Sequence, residues 1–177
     1  CNELLQGGLG AGELGVIVAP AGVGKSWVLS KIGSEAIRAG KKVVHYTLEL
    51  NEYYVGLRYD SIFTGIPASN LKFHKEEVIR KLAGIKGNLV VKYFPTKSAS
   101  VNTVTAHLQK MKTLGHEIDC VIVDYADIMK DRGHIKEVRH ALGNIYEDLR
   151  GLAGEINVPV WTASQANRSA LDEDVIE

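Results

Sequence analysis

Ala19-Pro20-Ala21-Gly22-Val23-Gly24-Lys25-Ser26 is the stretch on which the fold turns. It follows directly on the apolar run LGVIVAP (14–20), which reads as a buried strand, and leads directly into a helical pattern. A strand that feeds a glycine-rich loop opening into a helix is the Walker A arrangement of a phosphate-binding loop. Ala19 stands where the strict pattern has its first glycine, a position away from the glycines that cradle phosphate. Gly22 and Gly24 let the backbone wrap closely enough for successive N–H groups to face phosphate oxygens. The following helix adds the partial positive charge of its N-terminus. Lys25 is expected to place its ammonium on the β- and γ-phosphates, and the Ser26 hydroxyl to be a Mg²⁺ ligand. Ala21, Gly22, Val23, Gly24, Lys25, Ser26 and Trp27 are therefore the expected nucleotide contacts, with ATP and Mg²⁺ the expected cofactors. The competing reading, a glycine-rich turn that happens to spell GKS, does not explain the strand before it and the helix after it.

Four more short runs rich in β-branched residues lie downstream: KVVHYTLE (42–49), LVVKYF (89–94), CVIVDY (120–125) and VPVWTASQ (158–165). Most lack polar–apolar alternation, as strands do when helices cover both faces of a parallel sheet. The intervening segments carry helix punctuation. Gly40 and Gly115 follow periodic stretches as terminating glycines do, and Pro67 follows the pattern beginning at Asn51. Across 135–156, Val138, Leu142, Ile145, Leu149, Leu152 and Ile156 recur at helical spacing. The alternation predicts one α/β domain over 1–177, with right-handed crossovers and ligands at the carboxyl ends of the strands.

Lys plus Arg equals Asp plus Glu at 21 each, which argues against attachment to nucleic acid by bulk positive charge but leaves room for a local basic patch. Cys1 and Cys120 cannot form a disulfide framework, and Cys120 opens an apolar strand as a small buried hydrophobe would. No apolar run approaches the ~20 residues of a membrane span and no signal region opens the chain. A cytoplasmic protein with no membrane contact is the expectation. The six histidines lack metal-ligand spacing. The absence of an initiating Met suggests a piece of something longer.

Hydrolysis of Mg-ATP needs a carboxylate for the metal and a group that orients or deprotonates water near the γ-phosphate. Asp124, at the tip of the apolar strand CVIVD, fits the first role as a Walker B aspartate. Asp127 reads as a cap or turn residue. No Glu follows Asp124; Glu49, ending the strand in YTLEL, is the candidate for the second role.

Four blocks in this order resemble the DnaB-type replicative helicases, and more closely those of T-even-like phages. They are GGLGAGELGVIVAPAGVGKS, TLELNEYYVGLR, CVIVDY and LRGLAGEINVPVWTASQANR. KaiC-type and RadA-type ATPases share the first and third but lack the S-Q-x-N-R ending at Ser164, Gln165, Asn167 and Arg168. The resemblance implies a RecA-like fold with strand order 3-2-4-5-1. It implies Glu49 as the catalytic carboxylate, followed nine residues later by Arg58, and Gln165 as a sensor of the γ-phosphate. It also implies a homo-hexamer moving on single-stranded DNA, with a primase or a helicase loader as candidate further partners. Lys130, Arg132 and Lys136 fall where such rings place a DNA-contacting loop, though a solvated charged loop reads the same way. The family's collar domain and arginine finger are not found within 1–177, so the chain as given is expected to be monomeric and a poor ATPase. A RecA- or RadA-like recombinase, a KaiC-like regulatory ATPase and a nucleotide-binding scaffold are the alternatives.

Overall fold

The computed structural model describes residues 8–130 and 138–165, the side chains of 138–140 excepted. Strands β1 (Leu14–Ala19), β2 (Lys42–Thr47), β3 (Asn88–Tyr93), β4 (Cys120–Asp124) and β5 (Val160–Gln165) form one parallel sheet in the order β1-β5-β4-β2-β3. Read from the opposite edge, this is the expected 3-2-4-5-1. The helices are α1 (Lys25–Arg38), α2 (Glu52–Thr64), α3 (Lys75–Leu82), α4 (Val101–Thr113) and α5 (Val138–Ile156).

The strands without alternation owe their composition to having two apolar faces. On β2 and β4, Val44, Tyr46, Val121 and Val123 enter a core shared with α4 and α5. The residues between them, Val43, Cys120 and Ile122, enter a second core with Leu29 and Ile37 of α1 and Val55 and Tyr59 of α2. Successive strand side chains point to opposite faces, so a continuous apolar run is what two helical layers require. On the α5 stripe Ile145, Leu149, Leu152 and Ile156 are buried and Leu142 is half-buried, while the Val138 side chain lies outside what is described. Asn51 caps α2 by accepting from the Tyr54 N–H at 3.2 Å. Among the described residues, no helix is long and apolar enough to cross a membrane.

Two expectations need correction. First, β1 is not buried on both faces: Val16 and Val18 are 38% and 63% exposed. β1 lies at an edge of the sheet and, among the described residues, pairs only with β5. Second, β2 ends at Thr47, so Glu49 lies in a bend two residues beyond the strand instead of ending it. The cause is local. Thr47 Oγ1 donates to the Leu50 carbonyl at 2.6 Å and accepts from the Leu50 N–H at 3.2 Å, a side-chain turn that draws the backbone out of the ladder.

Candidate nucleotide site

Gly22 and Gly24 have φ of +78° and +93°, and no atom lies within 4 Å of where a β-carbon would stand on either. The loop therefore needs glycine for its conformation rather than for space. Gly24 caps α1 with no side-chain hydrogen bond, and the first turn of α1 holds no acidic residue. No side chain of its own turn compensates the dipole of that helix end, which suits it to an anion. Lys25 Nζ donates to the carbonyls of Ala19 and Pro20, both at 2.9 Å, at the mouth of the same loop.

Strand order brings the second motif to the first. β5 separates β1 from β4, yet Ser26 at the start of α1 reaches across and donates through its hydroxyl to Asp124 Oδ1 at 2.9 Å. Asp124 is 2% exposed, and burial pushes its carboxyl upward against the Ser26 hydrogen bond and the Arg58 charge. The Asp124–Tyr125 peptide bond is cis.

A cavity of about 290 Å³ opens beside this pair. Its wall includes Ala21, Gly22, Gly24, Lys25, Ser26 and Trp27 from the loop, with Glu49, Arg58, Tyr125 and Gln165 opposite. Most of the candidate residues, among them Lys25, Glu49 and Gln165 from three separate segments of the chain, thus share one cavity. Val23 belongs to the loop by its backbone only, since its side chain is exposed and does not line the cavity. Asp124 lies behind the wall, hydrogen-bonded to Ser26. A larger cleft, about 680 Å³, runs beside β1 and is lined by groups such as Leu9, Leu14, Val16, Val18 and Tyr146. Its lining includes Glu13 and Glu147 but neither the phosphate loop nor Glu49 or Asp124, so size does not mark the candidate site here.

Ser26 and Asp124 fit a magnesium ion. Mg²⁺ takes one or two protein oxygens and completes its shell with water and substrate phosphates. A hydroxyl and a carboxylate 2.9 Å apart beside a phosphate loop supply that set, and among the described residues no cluster of three His, Cys, Asp or Glu offers an all-protein cage.

Three residues acquire roles that sequence reading left open or missed. Arg58 stacks on the Trp27 ring at 5.5 Å, and its charge acts on Asp124. Its Nη1 is buried without a hydrogen-bond partner. The nine-residue spacing from Glu49 was the only signal for it. Tyr125 lines the cavity with nothing to announce it beyond following Asp124. Asp127, read as a cap or turn residue, brackets two elements. It accepts from Tyr146 Oη of α5 at 2.5 Å, from Ser164 Oγ at 3.3 Å and from the Gln165 N–H at 2.6 Å. Trp161 is packed against the α1/α2 core, and Cys120 is buried, its thiol pushed up to about 12 by that burial. Lys130 is exposed, and its N–H donates to the Ala99 carbonyl at 2.8 Å. Arg132, Lys136, Asn167 and Arg168 lie outside the described residues.

With β5 between β1 and β4, loop and carboxylate meet across an intervening strand, the layout of a RecA-like phosphate-loop domain. Comparison with known proteins narrows the class. A model of the DnaB-like helicase C terminal domain matches residues 2–174, and the chain belongs to that family. It is 28% identical over 184 residues to the DnaB-like replicative helicase of Enterobacteria phage T4, covering 97% of this chain and 38% of that protein. It is 26% identical over 172 residues to the replicative DNA helicase DnaB of Helicobacter pylori, covering 94% and 35%. The chain therefore spans under two fifths of the length of these curated relatives. Among solved structures, the ATPase domain of G40P superposes with a TM-score of 0.78 at 18% identity, over 94% of this chain and 62% of that one. A DnaB-like replicative helicase described with its interactions with primase gives 0.77 at 18%, over 95% and 42%.

Proposed function

We propose that this domain binds Mg-ATP, hydrolyses it, and serves as the motor of a hexameric replicative DNA helicase moving on single-stranded DNA. The observation that carries the reading is the single cavity where the phosphate loop, Glu49 and Gln165 meet, with Ser26 bonded to Asp124 behind it. Loop N–H groups and the α1 dipole would hold the β-phosphate, and Lys25 would swing from the Ala19 and Pro20 carbonyls to the β/γ bridge. Bound Mg²⁺ would neutralise charge building up between those phosphates. Glu49, facing the loop from beyond β2, would accept a hydrogen bond from the attacking water and fix its approach. Gln165, at the tip of β5, would donate its side-chain amide to a γ-phosphate oxygen, so that hydrolysis removes its partner.

Family membership and the resemblance to two replicative helicases support the helicase reading over a recombinase or a regulatory ATPase. Single-stranded DNA, other copies of this chain, and a primase or a loader are the proposed partners. The test is an ATPase and fork-unwinding assay on the complete protein. Turnover stimulated by single strands together with strand separation is expected; strand exchange without separation would move the assignment to a recombinase.

A further inference from the structure

Among the described residues, two buried side-chain nitrogens are without a hydrogen-bond partner: His45 Nε2, which lies near Asp124, and Arg58 Nη1, on a side chain whose charge acts on Asp124. His45 sits in the middle of β2, opposite Ile122 of β4, and is wholly buried. Its two ring nitrogens have different neighbours. Nδ1 is 2.9 Å from the Tyr59 hydroxyl, with the rings at 84° to one another. Nε2 is 3.9 Å from Asp124 Oδ2, the carboxylate oxygen that Ser26 does not use.

The neighbours decide the tautomer. Tyr59 is 1% exposed, so its hydroxyl proton needs a protein acceptor, and His45 Nδ1 is at hydrogen-bond distance. If Nδ1 accepts, the neutral ring carries its proton on Nε2, aimed at a carboxylate. The opposite tautomer would set a bare nitrogen lone pair against carboxylate oxygen in a dry interior. Burial and the Arg58 charge keep the ring neutral, pushing His45 down to about 3, so it acts as a dipole. The arrangement extends to the phosphate-loop helix. A β-carbon on Gly33 of α1 would stand 2.2 Å from Tyr59 Oη, so α1 carries no side chain where that hydroxyl sits.

We propose that His45 is a positioning residue for Asp124, presenting to Oδ2 an Nε2–H that the Tyr59 hydroxyl dictates. Ser26 holds one carboxylate oxygen and His45 faces the other, which restricts rotation of the carboxylate. A movement of about 1 Å brings Nε2 and Oδ2 to hydrogen-bond length. The inference rests on the reading of Asp124 as the metal-holding carboxylate. Partners of this kind tune metal affinity by about 10–100-fold in other sites. A histidine that only filled the core would be replaced by Phe without effect on metal.

Two measurements test it. Imidazole ¹⁵N shifts of the labelled protein are expected to show His45 as the neutral Nε2–H tautomer, with Tyr59→Phe admitting the other. A dominant Nδ1–H form in the unmodified protein overturns the proposal. Mn²⁺ titration of the ADP-bound protein by electron paramagnetic resonance should show about tenfold weaker binding in His45→Phe. His45→Gln should recover part of it, and metal-free ADP affinity should stay unchanged. If Asp124→Asn weakens Mn²⁺ but His45→Phe does not, His45 has no positioning role. If Asp124→Asn also leaves Mn²⁺ binding unchanged, the metal reading of Asp124 fails and the inference falls with it. Should His45→Phe not fold, Tyr59→Phe carries the same metal measurement, with unchanged Mn²⁺ affinity counting against the proposal.

Discussion

Lys25 rests on the carbonyls of its own loop, Ser26 on Asp124, and Glu49 on no strand at all, so the chemistry of this domain is set residue by residue. Lys25→Ala removes the ammonium proposed to reach the β/γ-phosphates. Mg-ATP binding at micromolar concentration is then expected to vanish in calorimetry. Retained affinity would mean that the loop is not the phosphate site. Glu49→Gln keeps the shape of the side chain and removes its charge. Binding should survive while turnover falls by about a hundredfold or more in the assembled protein. Turnover near that of the unmodified protein would send the catalytic role elsewhere. The residues legible in sequence are those whose chemistry admits few substitutes: Gly22, Gly24, Lys25, Ser26 and Asp124. Arg58, Tyr125 and Asp127 were not legible, because their partners are distant in the chain and their residue types are common in helices and turns.

Elements meet here through small, specific accommodations. Gly15 of β1 stands opposite Trp161 of β5, and a β-carbon on it would come within 2.4 Å of the indole ring. Gly15→Ala must push the ring or the strand aside, so a loss of about 1–3 kcal/mol is expected in denaturant unfolding. A change below a few tenths would show the ring to be free to move. Asp127 ties the turn after β4 to α5 and to the tip of β5 through three donors. Asp127→Ala removes the acceptor of the Gln165 N–H and leaves the Tyr146 hydroxyl only the Ala163 carbonyl, at 3.4 Å. These donors are exposed or half-buried and can turn to water, so the loss expected is the net worth of the hydrogen bonds themselves, about 1 kcal/mol, with Gln165 released from its place. Unfolding free energies of the two proteins decide it. Neither Gly15 nor Asp127 could be ranked from sequence, where one is a glycine in a strand and the other an acid in a turn.

At the scale of the whole molecule, the balanced charge means that any hold on nucleic acid must be local. Lys130 is exposed beyond β4, on the segment proposed to meet the strand together with Arg132 and Lys136. Neutralising all three in the complete protein should weaken single-strand binding. Three fewer phosphate contacts should also flatten the slope of log affinity against log salt by about 2. An unchanged slope would show these charges to be merely solvated.

From sequence alone came the fold class, the strand order through its resemblance, the phosphate loop and both candidate carboxylates. These were readable because parallel strands covered on both faces must be apolar throughout, and because a loop that wraps phosphate must have glycine at Gly22 and Gly24. Only the tertiary structure decided the rest. It placed Glu49 off the end of β2 through the Thr47 turn, left Val16 and Val18 exposed on an edge, and set His45 beside Asp124 and Arg58 over the Trp27 ring. Those outcomes depend on which strands become neighbours and how closely helices approach them, distances that no local pattern of residues encodes.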